Sequence, residues 1–236
     1  MVNEWLVFSL ILFAIWVGFF IFNKKTRKEM ALVSFFTMSF GLTEPLFVPE
    51  YWSPPSLFNL AANTGFDVES LIFSFAIGGI GSVLYEMFFK VEHKRMSMRE
   101  MHAGRHRFHL LVLFSPLIVF MPLFFFTELN PIYSASIAML MGGIATILCR
   151  PDLKKKIIFG GIMFLALYFV FFIFFNNIYP YAVERFWNLS VLSGILILNI
   201  PLEELIFAFT FGLIWASVYE HIRKYKLIKN YYYKKQ

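Results

Sequence analysis

Charge is scarce in this 236-residue chain. Asp, Glu, Lys and Arg together supply 15% of it, and there is one cysteine, Cys149. A globular chain carries about 25% charged residues. So little polar surface cannot cover a soluble fold of this size, and 59% hydrophobic residues, with 32 Phe, would be left facing water. A soluble domain is therefore excluded, and the remaining solvent is lipid. The lone Cys149 excludes an intramolecular disulfide and argues against a cysteine-based metal site. No Gly-x-Gly-x-x-Gly fingerprint for a flavin or dinucleotide is present, so no cofactor is expected. No basic segment precedes the first apolar run and no small-x-small cleavage site follows it, so that run is expected to be a retained helix.

A membrane helix needs about 20 mostly apolar residues. Seven stretches qualify: Glu4–Phe22, Met30–Val48, Glu69–Phe89, Phe108–Phe126, Tyr133–Cys149, Ile157–Phe175 and a last one running to about Tyr219. Lys and Arg are distributed very unevenly around them. Lys24, Lys25, Arg27 and Lys28 follow the first span. Lys90, Lys94, Arg95, Arg99, Arg105 and Arg107 lie between the third and fourth. Arg150, Lys154, Lys155 and Lys156 follow the fifth, and Arg223, Lys224, Lys226, Lys229, Lys234 and Lys235 form the tail. Of the 21 basic residues only Arg185 falls on the other side of a seven-span serpentine. The net charge of +6 and pI near 9.3 thus read as topology: a multi-pass cell-membrane protein, N-terminus outside and C-terminus cytoplasmic. The basic loops suit anionic lipid headgroups, and no nucleic-acid partner is needed to explain them. Tyr231-Tyr232-Tyr233 reads as an interfacial aromatic anchor. His93, His102, His106 and His109 read as part of a solvated basic loop rather than as a metal site.

The chain repeats. Phe66-Asp-Val-Glu-Ser-Leu-Ile-Phe-Ser-Phe75 aligns with Ile200-Pro-Leu-Glu-Glu-Leu-Ile-Phe-Ala-Phe209, and the register continues to Tyr85-Glu86 and Tyr219-Glu220. Upstream, Glu50-Tyr51-Trp52 aligns with Glu184-Arg185-Phe186-Trp187. The expected fold class is all-α integral membrane, with seven transmembrane helices in a 3+1+3 parallel repeat. Residues 1–90 would form the first three-helix repeat, 91–130 a basic inner loop and linker helix, 131–220 the second repeat and 221–236 a basic tail. Parallel repeats commonly place a site where they meet.

Acids stand where lipid is expected. Glu69 precedes Glu86 by 17 residues, about 25 Å of helix. With Glu86 at the basic surface, Glu69 falls roughly 5 Å inside the opposite boundary of a hydrocarbon layer about 30 Å thick. Glu203 occupies the same depth opposite Glu220. Asp67 is placed to cap its helix, and Asn199 followed by Pro201 reads as N-cap and first turn of a last helix broken within the membrane. These acids would complement helix dipoles. They also recur in both repeats, Trp52 and Trp187 precede them at nearly fixed distance, and Phe73 and Phe207 stand at i+4 on the same faces. Glu44, before Pro45, is a third acid at that depth. A carboxyl among aromatic faces suits alkene protonation, since it can carry a proton and the rings stabilise cations.

Around Pro201-Leu-Glu-Glu-Leu-Ile-Phe207 the sequence resembles the lycopene cyclase domain family, the small integral-membrane cyclases of carotenoid synthesis, in their fused two-repeat form. The resemblance extends over nearly the whole chain. The first-repeat motif departs from the family pattern: Asp67-Val68-Glu69-Ser70 lacks the Pro and the second Glu. The resemblance implies an isomerase of the intramolecular lyase type. It would protonate a linear carotenoid drawn from the bilayer, let the carbocation close onto a neighbouring double bond, and deprotonate the product to a β-ionone ring. It implies Glu203 and Glu204 as acid and base, with Glu69 as their repeat counterpart; Trp52, Trp187, Phe73, Phe207 and Glu44 are expected as lining or cation-stabilising residues, and no metal is expected. The alternative is a 3+1+3 membrane transporter of a small solute, which would place polar residues near mid-membrane. A retinal protein would need a Lys in the last span, which has none. The glycine pairs Gly78-Gly79, Gly142-Gly143 and Gly160-Gly161 read as packing surfaces, and membrane lipids and a homo-oligomer complete the expected partners.

Overall fold

The computed structural model describes residues 3–89, 91–102, 104–106 and 108–229. Tyr231-Tyr232-Tyr233, Lys234 and Lys235 lie outside them. In chain order the helices begin with α1 (Glu4–Phe22) and α2 (Arg27–Met38), the latter running on as a 3-10 helix over Ser39–Leu46. Short α3 (Leu60–Thr64) precedes long α4 (Val68–Phe89), which leads into strand β1 (Val91–Arg95). One turn of helix, α5 (Met98–Met101), is followed by α6 (His109–Phe126), α7 (Pro131–Cys149) and α8 (Lys154–Ile178). Short α9 (Ala182–Phe186), strands β2 (Leu196–Ile197) and β3 (Ile200–Pro201), α10 (Leu202–Trp215), α11 (Val218–Arg223) and strand β4 (Tyr225–Lys229) complete the order. Among the described residues six segments are long and apolar enough to cross a membrane: Glu4–Phe22, Val68–Phe89, His109–Phe126, Pro131–Cys149, Pro151–Ile178 and Leu202–Arg223. The protein is a multi-pass membrane protein.

Two expectations need correction. The stretch Met30–Val48 is not one regular helix, because its α-helical geometry ends at Met38. Hydroxyls of Thr37, Ser39 and Thr43 bond back to carbonyls one turn earlier, and Pro45 supplies no N–H and restricts the residue before it. The tightened segment approaches α4 closely: a Cβ on Gly41 would lie 2.8 Å from the backbone of Leu71. Asn199 is not the cap of the last helix. It and Leu198, at φ 61° and 52°, form the turn of the β2–β3 hairpin, and α10 starts after Pro201. Asn199 instead donates from Nδ2 to the Pro180 carbonyl at 3.3 Å. Asp67 caps α4 as expected, accepting from the Ser70 amide at 2.5 Å.

Contacts recur at the spacing of the sequence repeat. Helix α4 packs on α1 and α2, and α10 packs on α7 and α8. Gly78 of α4 leaves room for Thr37 of α2. Gly212 of α10, 134 residues later, lets the backbone of Gly160 and Gly161 and the Phe164 Cβ of α8 approach to where its own Cβ would be 2.8 Å away. The two halves meet at both ends. At one end Trp52 and Trp187 form an antiparallel bridge, with Ser53 N–H donating to Phe186 O at 2.7 Å and Asn188 N–H to Tyr51 O at 2.9 Å. At the basic end β1 pairs antiparallel with β4, with His93 opposite Leu227, again 134 residues apart. Beneath that sheet, buried Lys156 donates to Glu29 (3.1 Å), Glu220 (2.5 Å) and Glu86. Helix α6 has no buried residue and lies along α7, where its Pro116 ring occupies the space that a Cβ on Gly142 would need.

Candidate functional site

Between α2 and α4 on one side and α7 and α10 on the other is an apolar cleft, with α6 as a further wall. It encloses about 1770 Å³ of space, open solvent at its mouth included. Trp5, Trp52, Phe73, Phe207, Phe211 and Trp215 are among the rings that line it. They touch in series: Trp5 meets Trp52 edge-on at 4.5 Å between centroids and Phe73 at 5.1 Å, and Trp52 lies 5.5 Å from Trp187. Phe207, Phe211 and Trp215, one helical turn apart, continue the wall at 5.6 and 5.8 Å.

Two carboxyls open into this cleft, Glu204 and Glu44, each 5% exposed. Glu204 sits in the first turn of α10, where free backbone amides favour an acid. Three donors from three elements converge on it. Oε1 accepts from the Tyr51 hydroxyl and from Trp187 Nε1 at 2.8 Å, and Oε2 accepts from the Tyr168 hydroxyl of α8 at 2.9 Å. An indole N–H can only donate, so Oε1 must accept. Trp187 Nε1 also lies 3.0 Å from the Tyr51 oxygen, which ties the donors to one another. Glu44 presents the opposite case. It meets no phenol or indole donor; its polar neighbours are Ser70, Asp67 and Glu69. Ser70 is the repeat counterpart of Glu204, so the two halves bring an acid to the cleft from different helices.

The other two acids singled out from the sequence do not line the cleft. Glu69 Oε1 accepts from Asn3 Nδ2 at 2.5 Å and from the Leu57 amide at 2.8 Å. Glu203 Oε1 accepts from the Tyr133 hydroxyl at 2.5 Å and from the Ser193 amide at 2.8 Å. In both repeats this glutamate ties the preceding loop to the start of the repeat's first helix. Trp52, Trp187, Phe73 and Phe207 line the cleft. Tyr51 and Tyr168 are the functional candidates that sequence reasoning missed. Tyr51 stood beside Trp52 in the aligned motif. Tyr168 lies inside an apolar run and carries no motif signal.

The histidines part company. His93 is on β1 and contacts Glu220 at 2.6 Å, so it is not part of a solvated loop. His106 and His109 meet Cys149. His102 is exposed, its Nδ1 2.8 Å from the Met98 carbonyl.

A polytopic helical membrane protein with a donor-bound carboxylate in an aromatic cleft is the class that the fold and site define. Residues 130–222 match the family model described as lycopene cyclase, a stretch from the start of α7 into α11 that contains Glu203, Glu204, Tyr168 and Trp187. The match supports the resemblance seen at Pro201–Phe207 and, with it, a carotenoid cyclase function in general. No curated protein and no solved structure matches the chain.

Proposed function

We propose that the protein is an intramembrane carotenoid cyclase that converts a linear, lycopene-type end group into a β-ionone ring without redox change. The observation that carries this reading is Glu204, a carboxylate with three donors at the wall of an apolar, ring-lined cleft. A proton is delivered to the terminal alkene CH, leaving a tertiary cation on the neighbouring carbon. The electron pair of a second double bond closes the ring and moves the charge. A base removes one proton beside the new cation to form the ring double bond. One proton enters and one leaves, so substrate and product are isomers. Trp52, Trp187, Phe73 and Phe207 offer π-faces to the cation in a site that excludes water.

Glu204 is assigned as the base, because three donors from three elements hold its carboxyl in a fixed position at the cleft wall. Glu44 is assigned as the acid, because a buried carboxyl beside the carboxyls of Asp67 and Glu69 avoids the cost of a further buried charge by carrying its proton. Glu203 and Glu69 then hold the loops that shape the cleft. The expected acid–base pair Glu203 and Glu204 is thus revised to Glu44 and Glu204.

The membrane arrangement proposed with this function is the 3+1+3 parallel repeat, residues 1–90 and 131–220 about a linker, with the basic end cytoplasmic. The recurring contacts of Gly78 and Gly212, the reciprocal Trp52–Trp187 bridge and the β1–β4 register support it. Helix α2 and its 3-10 extension, about 34 Å together, supply the seventh crossing. The apolar walls favour a polyene over the small polar solute of the transporter alternative. Expression in a lycopene-accumulating bacterium tests the proposal. Ringed carotenoids should appear with the native protein and fail to appear with Glu204→Gln. Unchanged lycopene with folded native protein would refute it.

A further inference from the structure

At the basic end, away from the cleft's carboxyls, three side chains converge that the proposed chemistry does not use. His106 precedes α6, His109 opens it, and buried Cys149 closes α7. Cys149 Sγ lies 3.5 Å from His106 Nδ1 and 3.9 Å from His109 Nδ1, and all three ligand atoms fall within 4.8 Å of one another. A tetrahedral zinc ion with bonds of about 2.3 Å to sulfur and 2.0–2.1 Å to nitrogen sets sulfur and nitrogen roughly 3.6 Å apart. The observed pair distances bracket that value.

The second observation is the orientation of His109. Its Nε2 lies 3.0 Å from the backbone carbonyl of His221, which can only accept, so Nε2 carries the hydrogen and Nδ1 turns a lone pair toward the sulfur. A carbonyl holding the far nitrogen of an imidazole is the outer-shell arrangement that metal-bound histidines use. The His221 ring lies against His109, tilted by 34° with centroids 4.1 Å apart.

We propose that His106, His109 and Cys149 form a binding site for a divalent metal ion of zinc type, with water as the fourth ligand. One thiolate and two neutral imidazoles select a borderline-soft ion over magnesium or calcium. The site joins the start of α6 to the end of α7. Helix α6 buries no residue of its own and supplies Leu113, Phe114, Leu117 and Phe120 to the cleft wall, so the metal would add a fastening between that wall and α7. Binding releases the thiol proton to solvent, and no redox step is involved. The cluster of Glu29, Glu86, His93 and Glu220 also brings ligand atoms together, but its centre is taken by the Lys156 ammonium, which makes it the natural control.

The test uses the full chain in detergent, stripped with a chelator and titrated with Co²⁺ and Zn²⁺. We expect about one Co²⁺ per chain with a near-ultraviolet thiolate-to-cobalt charge-transfer band that Zn²⁺ displaces. Cys149→Ser and His109→Gln should abolish the band, and His93→Gln should leave it. In the native protein Zn²⁺ should slow alkylation of Cys149 by about tenfold or more, reversibly with chelator. That arm does not depend on a variant folding. Cobalt bound without the charge-transfer band, a band lost with His93→Gln but kept with Cys149→Ser, or alkylation indifferent to Zn²⁺ would each overturn the site.

Discussion

Replacing Glu204 with Gln removes a proton acceptor and little else. The amide oxygen can still accept from Tyr51 and Trp187, and the amide nitrogen can donate to the Tyr168 oxygen, which now lies 2.9 Å from Oε2. The side chain keeps its volume, so the fold should persist. The reaction loses a base, and a positioned general base is worth about 10²–10⁴-fold, or about 2.7–5.4 kcal/mol of barrier. Tyr168→Phe provides an internal scale. It removes the only described donor to Oε2, and a hydrogen bond to a charged group contributes about 1.5–3 kcal/mol. Any loss should be smaller than that of Glu204→Gln, because the carboxylate itself remains. The assay is ring formation by matched amounts of purified, monodisperse protein in liposomes. Less than about a threefold loss for folded Glu204→Gln would refute the base assignment. A larger effect from Tyr168→Phe than from Glu204→Gln would show that the tyrosine, not the carboxylate, handles the proton.

Glu203→Gln should change turnover by less than about threefold while lowering thermal stability, by about 1–3 kcal/mol if the loop amide of Ser193 loses its charged acceptor; paired turnover and melting measurements decide. Gly212→Ala should destabilise the protein by about 1–3 kcal/mol, because the new Cβ would meet the Gly160 carbonyl at 2.8 Å, and thermal unfolding in detergent that shows no shift would count against the α8–α10 contact. Lys156→Met strands Glu29, Glu86 and Glu220 without their cation and should cost about 3–5 kcal/mol, read as a lowered melting midpoint. A reporter fused after Gln236 that is active only outside the cytoplasm would reverse the proposed orientation.

Much of the architecture is legible because lipid imposes length and charge rules that a single sequence displays. The ends of α1 and the start of α4 were readable from apolar run length and from Asp67. The Met30–Val48 segment was not, because hydropathy does not distinguish an α-helix from one tightened to 3-10 by Thr, Ser and Pro. The hairpin before α10 was hidden for a related reason: Leu189–Leu198 is apolar enough to read as helix, yet Leu198 and Asn199 adopt a left-handed turn. At the site, the repeat pointed correctly to the end of the molecule where the acids lie. Glu69 and Glu203 share contacts with loop amides, which the repeat alone does not reveal. The cleft draws on Glu204, Glu44 and Tyr168, which break the symmetry and so leave no repeat signal. Cys149 and His109 are 40 residues apart, and only the packing of α6 against α7 brings them together.

The central claim, proton-initiated cyclisation at solvent-exchangeable carboxyls, is tested most directly by isotope. Purified protein in liposomes is given a linear carotenoid in deuterated water, without added nicotinamide or flavin, and the product is resolved by chromatography and mass spectrometry. The account predicts a ring with one deuterium at the carbon that was the terminal alkene CH, and no other change in mass. Unchanged linear carotenoid in the presence of demonstrably folded protein, or a product whose mass differs by hydrogens beyond the label, would contradict it.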